Sequence, residues 1–161
     1  MIIIKETTEK DLENVKRLWA DGDVMKFVGF PEGLHETDES MRRWINRIIS
    51  SRPATNHFSV FDNDVYCGEA FFSIDKKHDD SASLDIKLFK FARGKGIATS
   101  ALTYAIEEAF RNGAKKVWVD PNPDNVKAIA LYERLGFERK KMPEYLIDPD
   151  SVTSIYMELS R

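Results

Sequence analysis

The chain is poor in cysteine. Cys67 is the one thiol in 161 residues, so neither an intrachain disulfide framework nor a CxxC metal motif can be built. It lies in a strand-like run, where a buried inert side chain is expected rather than a nucleophile. Histidine is scarce as well. His35, His57 and His78 are scattered without ligand spacing, so no metal is expected. His57, near a strand start, reads as a satisfied structural histidine. Excess charge of one sign is missing too: 24 Lys and Arg against 27 Asp and Glu leave a net charge of -3. No global basic field therefore recruits nucleic acid or an anionic membrane, and the short basic face Arg42, Arg43, Arg47 and Arg52 reads as helix solvation. No apolar stretch approaches membrane-spanning length. The opening Met1-Ile2-Ile3-Ile4 is too short for the apolar core of a secretion signal and charges follow at once, so a cytoplasmic location is expected. Repeats, linkers and low-complexity segments are also absent.

With 42% hydrophobic and 32% charged residues, the composition is that of a globular chain. Its length predicts one domain spanning 1–161. Ile2 to Glu6 reads as a first strand. Thr8 with Asp11 offers a helix cap, followed by Leu12, Val15, Leu18 and Trp19 at helical spacing. Asp21 to Glu36 reads as irregular, and a second helix is expected from Asp38 to Ser50. His57–Asp62 and Val65–Ser73 read as a hairpin around Asp62-Asn63-Asp64. A central strand is expected from Ser83 to Lys90, a helix ending at Arg111 before Asn112-Gly113, and a strand at Lys116–Val119. A last helix covers Asn125 to Leu135. Phe137–Lys141 and Val152–Leu159 read as final strands, joined by the loop Pro143–Asp150. This order predicts an α+β fold whose mixed sheet has a parallel pair at its centre, Ser83–Lys90 beside Lys116–Asp120, joined by a right-handed crossover helix.

Arg93-Gly94-Lys95-Gly96-Ile97-Ala98 stands between the central strand and the helix beginning at Thr99. Glycines let backbone N–H groups approach a ligand, and the unpaired N–H groups of a helix start attract an anion such as phosphate. A tight strand-to-helix connection explains the same glycines. Further on, Asn125 and Tyr132 are seven residues apart, nearly two turns, and share one helix face. Asn125 is placed to cap that helix, and Tyr132 reads equally as a packed aromatic with its hydroxyl at the rim.

Taken jointly, these blocks resemble the GNAT superfamily of acyl-CoA-dependent N-acyltransferases. Arg93 to Ala98 matches that superfamily's (Gln/Arg)-x-x-Gly-x-(Gly/Ala) pyrophosphate loop, with alanine at 98. Asn125 to Phe137 matches its Asn…Ala…Tyr-Glu-x-x-Gly-Phe element. The likeness is clear over Ser83 to Lys140. Asp120-Pro121-Asn122-Pro123-Asp124-Asn125 is similar to the Asp-Pro-x-Pro-x-Asn signature of aminoglycoside 6′-N-acetyltransferases. Val24-Met25-Lys26-Phe27-Val28-Gly29 instead resembles the ribosomal-protein N-terminal acetyltransferase branch.

The resemblance implies a mixed, mostly antiparallel sheet of about seven strands with a splayed parallel pair, flanked by about four helices. It implies acetyl-CoA as cofactor. The backbone of Arg93, Gly94, Lys95, Gly96, Ile97, Ala98 and Thr99 would hold the pyrophosphate. The pantetheine arm would lie along Ile86, Lys87 and Leu88 as an added strand, with Asn125 and Ala128 beside it. Tyr132 would protonate the departing thiolate. Asp85, opposite in facing to Leu84 and Ile86, is the first candidate base and Glu69 the second; an acid on a solvated strand face explains either one equally well. Trp19, Phe27, Phe30 and Trp44 are the expected acceptor walls. Asp21, Asp23, Glu32 and Glu36 either draw a cationic acceptor or form a solvated loop. The leading expectation is acetyl transfer to a primary amine of an aminoglycoside-like or polyamine-like molecule in a monomer or homodimer. The alternatives are a peptide N-terminus as acceptor, and a non-catalytic acyl-CoA sensor.

Overall fold

In the computed structural model, which describes residues 1–150 and 154–161, the apolar periodicities resolve into strands and helices close to those expected. The strands are β1 (Ile2–Glu6), β2 (Thr55–Asp62), β3 (Val65–Asp75), β4 (Ser81–Leu88), β5 (Lys116–Val119), β6 (Glu138–Arg139) and β7 (Met157–Ser160). The helices are α1 (Leu12–Trp19), α2 (Gly22–Met25), α3 (Asp38–Ser51), α4 (Ile97–Arg111) and α5 (Val126–Arg134). One mixed sheet takes all seven strands in the order β1-β2-β3-β4-β5-β7-β6. Among the described residues only β4 and β5 pair in parallel, and α4 is the crossover between them. Among the described residues no helix is long and apolar enough to cross a membrane.

Differences from expectation have local causes. α2 is a single turn inside the segment read as irregular, because the Asp21 carboxylate accepts from the N–H groups of Asp23 and Val24 at 2.9 and 3.4 Å. The central strand starts earlier, at Ser81, and ends at Leu88, where Lys90–Ala92 tightens into a 3-10 turn. β6 is shorter than expected, pairing only Glu138 and Arg139 with β7. Of the expected last strand Val152–Leu159, positions 152 and 153 lie outside the described residues, and β7 runs over Met157–Ser160.

The sheet is covered on both faces. Against one face pack the buried residues of α4 (Ile97, Ala101, Leu102, Ala105, Ile106, Ala109) together with Ile129, Leu131 and Tyr132 of α5, over Phe58, Phe72, Leu84 and Val117. Burying this apolar surface is the main favourable term in folding. The other face carries α1 and α3, whose Val15, Leu18 and Met41 meet Tyr66 and Phe89. Here the residues between the apolar ones are polar: Thr7, just past β1, and His57, Ser59 and Glu69 in the strands are all buried.

Two features of the sheet create an opening. β4 and β5 pair through Ser81↔Lys116, Ala82↔Val117 and Ser83↔Trp118 only. Leu84 to Leu88 continue with β3 alone, so the two parallel strands part towards their C-terminal ends. On the β3 side, the register shifts between Val60 and Phe61, leaving Cys67 unpaired as a bulge. The Phe89 N–H donates to the Cys67 carbonyl at 3.0 Å, carrying the exit of β4 along the bend.

Gly68 follows the bulge at φ +153°, where an added Cβ would lie 2.0 Å from the Lys87 carbonyl oxygen and 2.9 Å from Leu88 Cα. These are backbone atoms and cannot step aside. Gly68→Ala is expected to cost about 1–3 kcal/mol in chemical unfolding, as overpacking does. An unmoved unfolding midpoint would show that β3 and β4 separate freely there.

Candidate active site

The helix start beside the opening has an unusual supply of free donors. Gly94 and Gly96 sit at φ +77° and +78°, a left-handed conformation that side chains disfavour. Ser100 is the first residue of α4 whose N–H finds a partner, the Gly96 carbonyl at 3.2 Å; among the described residues the N–H groups of Gly94 to Thr99 donate to no protein acceptor. Lys95 and Thr99 are exposed, Ala98 half-buried and Ile97 buried as the anchor of the turn. With the positive end of a fifteen-residue helix behind them, these N–H groups form a site for an anion. Arg93 has a different job from its neighbours. Its Nη2 donates to the Leu88 carbonyl at 3.0 Å and its Nη1 to Asp23 at 2.9 Å, tying the loop to the end of β4 and to α2.

Along the parted end of β4, side chains satisfy the backbone. The Ile86 N–H donates to Asp85 Oδ1 at 2.9 Å, and the Leu88 carbonyl accepts from Arg93. α5 faces this seam. Asn125 caps it by accepting from the Ala128 N–H at 3.3 Å. Tyr132, 6% exposed, packs edge-on to Phe137 at 5.6 Å. Burial pushes the Tyr132 hydroxyl well above its ordinary pKa, and the carboxylates of Asp85 and Asp120 push it further, so it keeps its proton at any physiological pH. Asp120, immediately after β5, is itself raised by burial and by the Asp85 charge. Asp85 from β4, Asp120 from β5 and Tyr132 from α5 thus lie within electrostatic reach of one another where the strands part. Asp120 entered the sequence reading only through its motif; its place at the end of the strand beside Asp85 is the signal that could have singled it out.

Glu69 is differently placed. Both of its oxygens accept from the Trp19 indole N–H, at 3.2 and 3.0 Å. His57 Nε2 lies 2.7 Å from Oε2 and Lys87 Nζ 3.5 Å from Oε1. His57 Nδ1 in turn lies 2.7 Å from the Thr7 hydroxyl, which makes this histidine structural, as expected. Burial raises the Glu69 pKa, but the charges of His57 and Lys87 outweigh it and hold the carboxyl at about 2. Glu69 is thus an ionised carboxylate enclosed by the three side chains that hold it. Lys87, assigned by sequence only through its backbone, also pairs with Asp85. Burial alone would lower its pKa; the carboxylates of Asp85 and Glu69 carry it above the ordinary lysine value. Cys67 is buried, and burial pushes its thiol pKa up, away from nucleophilic chemistry.

Of the four expected acceptor walls, Trp19 and Trp44 are in contact with each other. Trp19 packs edge-on to Trp44 at 4.9 Å and Trp44 to His57 at 4.7 Å, within the polar network. Phe27 lies under the Lys26 ammonium, 5.1 Å away, and Phe30 is 40% exposed on the loop. A cleft of about 470 Å³ opens over Ser73, Ser83, Trp118 and Tyr145. Ser83 precedes Asp85 by one strand repeat, so both face the same side of β4. Tyr145 is fixed there by stacking on His78, ring centroids 3.8 Å apart, and by its hydroxyl against Ser81 at 3.2 Å. The sequence could not show this wall, because Tyr145 lies in a segment without periodicity.

A family model described as the acetyltransferase (GNAT) domain matches residues 2–138. The chain is 43% identical over 49 residues to the N-alpha-acetyltransferase MAK3 of Arabidopsis thaliana, covering 30% of this chain and 26% of that protein. It is 40% identical over 48 residues to a kanamycin resistance protein of Rhizobium radiobacter, covering 29% of this chain and 44% of that one. It thus spans less than half the length of either relative. Among solved structures, the spermidine N-acetyltransferase of Vibrio cholerae, in complex with CoA and spermine, is similar in fold. That likeness has a TM-score of 0.78 at 20% identity, covering 98% of this chain and 92% of that one.

Glu69→Gln leaves Lys87 and His57 facing a neutral amide, and is expected to cost about 3–5 kcal/mol at neutral pH, as breaking a buried ion pair does. The Glu69 pKa is depressed from 4.5 to about 2 on folding. Its stabilisation is therefore complete above pH 4.5 and lost as pH falls towards 2. Denaturant midpoints measured across that window should converge for variant and wild type; a constant gap would contradict the assignment.

Proposed function

The chain belongs to the family of GNAT acetyltransferase domains, and on that premise we propose that it transfers an acetyl group from acetyl-CoA to a primary amine of a small molecule, by direct attack in a ternary complex. The observation that carries this reading is the row of unpaired N–H groups from Gly94 to Thr99 beside two parallel strands that part after Ser83 and Trp118. An anion and an extended arm would both find partners there. Gly94 to Thr99 would hold the pyrophosphate. The Ile86–Leu88 edge would take the pantetheine arm as an added strand, with Asn125 and Ala128 at its side.

When bound, acetyl-CoA supplies an acetyl group activated as a thioester. The remaining roles belong to the chain. Tyr132, held protonated by burial and by two neighbouring carboxylates, donates its proton to the departing sulfur. Asp85 accepts the amine proton. Asp120, with its raised pKa, is a second acceptor better matched to the task than Glu69. The body of the acceptor lies in the cleft between Trp118 and Tyr145, on the face that Asp85 shares with Ser83.

For the acceptor, an aminoglycoside-like or polyamine-like amine is the leading class. The Asp120-Pro121-Asn122-Pro123 signature and the likeness to a kanamycin resistance protein support the first, and the fold likeness to a spermidine N-acetyltransferase is compatible with the second. A peptide N-terminus is the other reading, favoured by the likeness to an N-alpha-acetyltransferase. A cytoplasmic location belongs to the same proposal.

A CoA-release assay with acetyl-CoA against aminoglycosides, polyamines, amino acids and short peptides tests this directly. Turnover confined to peptides would replace the small-molecule reading, and no turnover with any amine would contradict the enzyme. With an active acceptor, Tyr132→Phe is expected to lower kcat about a hundredfold or more while CoA affinity stays within about twofold. An unchanged kcat would remove the acid role.

A further inference from the structure

A run of polar and charged side chains beneath α1 and α3 ends at the seam on Asp85, and its other members have no part in the proposed reaction. It starts at the Thr7 hydroxyl, 2.7 Å from His57 Nδ1, and passes through His57 Nε2, 2.7 Å from Glu69 Oε2. Glu69 Oε1 lies 3.5 Å from Lys87 Nζ, which also donates to Asp85 Oδ2. The environments along it are unequal. The Glu69 side chain is 5% exposed and that of Lys87 13%, whereas that of Asp85 is 42% exposed. Only the last carboxylate is open to an incoming molecule.

The arrangement does more than bury an ion pair. The Lys87 ammonium lies between two carboxylates, donating to Asp85 and ion-paired with Glu69 at 3.5 Å. Glu69 lies directly across from Lys87 in the β3–β4 register, and Glu69 is itself held by the Trp19 indole and by His57. The ammonium therefore has a fixed position. Asp85, on an open strand edge, has no wall of its own; its Oδ2 is held by Lys87 and its Oδ1 by the Ile86 N–H.

The titratable groups facing Asp85 come from three directions: Lys87 on its own strand, Asp120 from the end of β5, and the Tyr132 hydroxyl from α5. Among the described residues Lys87 is the cation paired with Asp85. Without it, two carboxylates and a phenol would face one another alone, a combination that favours protonating one of the acids.

We propose that Lys87 is a positioning residue for the transfer reaction: clamped by Glu69, it fixes the Asp85 carboxylate and offsets the charge of the Asp85–Asp120 pair, so that Asp85 can accept the proton of the incoming amine. This rests on the reading of Asp85 as that acceptor. Trp19 and His57, which looked like an acceptor wall and a bystander, become the frame that holds the clamp.

The test compares Lys87→Met, Lys87→Arg and Asp85→Asn with wild type, using the most active amine of the acceptor panel. Lys87→Met is expected to lower kcat about a hundredfold, the scale of an ångström-sized misplacement, with CoA affinity within about twofold. Its rate–pH profile should have the acidic limb displaced to higher pH, which a loss of stability alone would not produce. Lys87→Arg should restore much of the rate. Where Lys87→Met alone does not fold, the double variant Glu69→Gln/Lys87→Met removes both members of the buried Glu69–Lys87 pair together and carries the same comparison. A folded Lys87→Met or double variant with wild-type kcat and an unmoved acidic limb, beside an inactive Asp85→Asn, overturns the clamp and leaves Asp85 as acceptor. Full activity in Asp85→Asn overturns the acceptor reading itself, and the clamp with it.

Discussion

The parting of β4 from β5 is the constraint on which the rest of the structure depends. Inside a sheet every backbone N–H and carbonyl needs a partner. β4 surrenders those of its outer edge after Ser83, while β3 keeps pairing it to Leu88. Several separate features serve that arrangement. The bulge at Cys67 and the bare Cα of Gly68 let β3 follow β4 closely through the bend. The Asp85 carboxylate and the Arg93 guanidinium satisfy backbone groups at the seam, and Arg93 also joins the glycine loop to α2. The opening is maintained by the chain's own side chains at the place where the α4 N-terminus points its unpaired donors.

The two faces of the sheet divide the work. Under α4 and α5 the core is apolar and close-packed, giving a rigid base for the helix start and for Tyr132. Under α1 and α3 the same strands bury Thr7, His57, Ser59 and Glu69. Charges so deeply placed persist only when each is paired. Here the pairing is complete for Glu69, which is why its pKa falls despite burial. Asp120, less fully paired, moves the other way. Two carboxylates, on opposite sides of β4, thus acquire opposite tendencies from their surroundings.

Much of this was legible in the residues. The glycine loop, the crossover helix, the parallel pair and the cap at Asn125 follow from local rules that act within a few positions, and the structure places them where those rules predict. What lay beyond the sequence came from long-range contacts. Trp19 meets Glu69 fifty residues away, so nothing near it shows that its indole serves the carboxylate rather than a pocket. Tyr145 reaches Ser81 across a segment with no repeat, and the cleft it walls exists only once the sheet is assembled. Lys87 alternates like any solvated strand residue until β3 brings Glu69 opposite it.

The central claim is that the free N–H groups of the Gly94–Thr99 turn and the edge of β4 that no strand covers form one site. Titrating isotope-labelled protein with CoA, and following amide shifts and hydrogen exchange by NMR, tests it most directly. The account predicts the largest changes and new exchange protection at the amides of Gly94 to Thr99 and of Leu84 to Leu88. Absence of binding, or changes confined to other parts of the sheet, would contradict it.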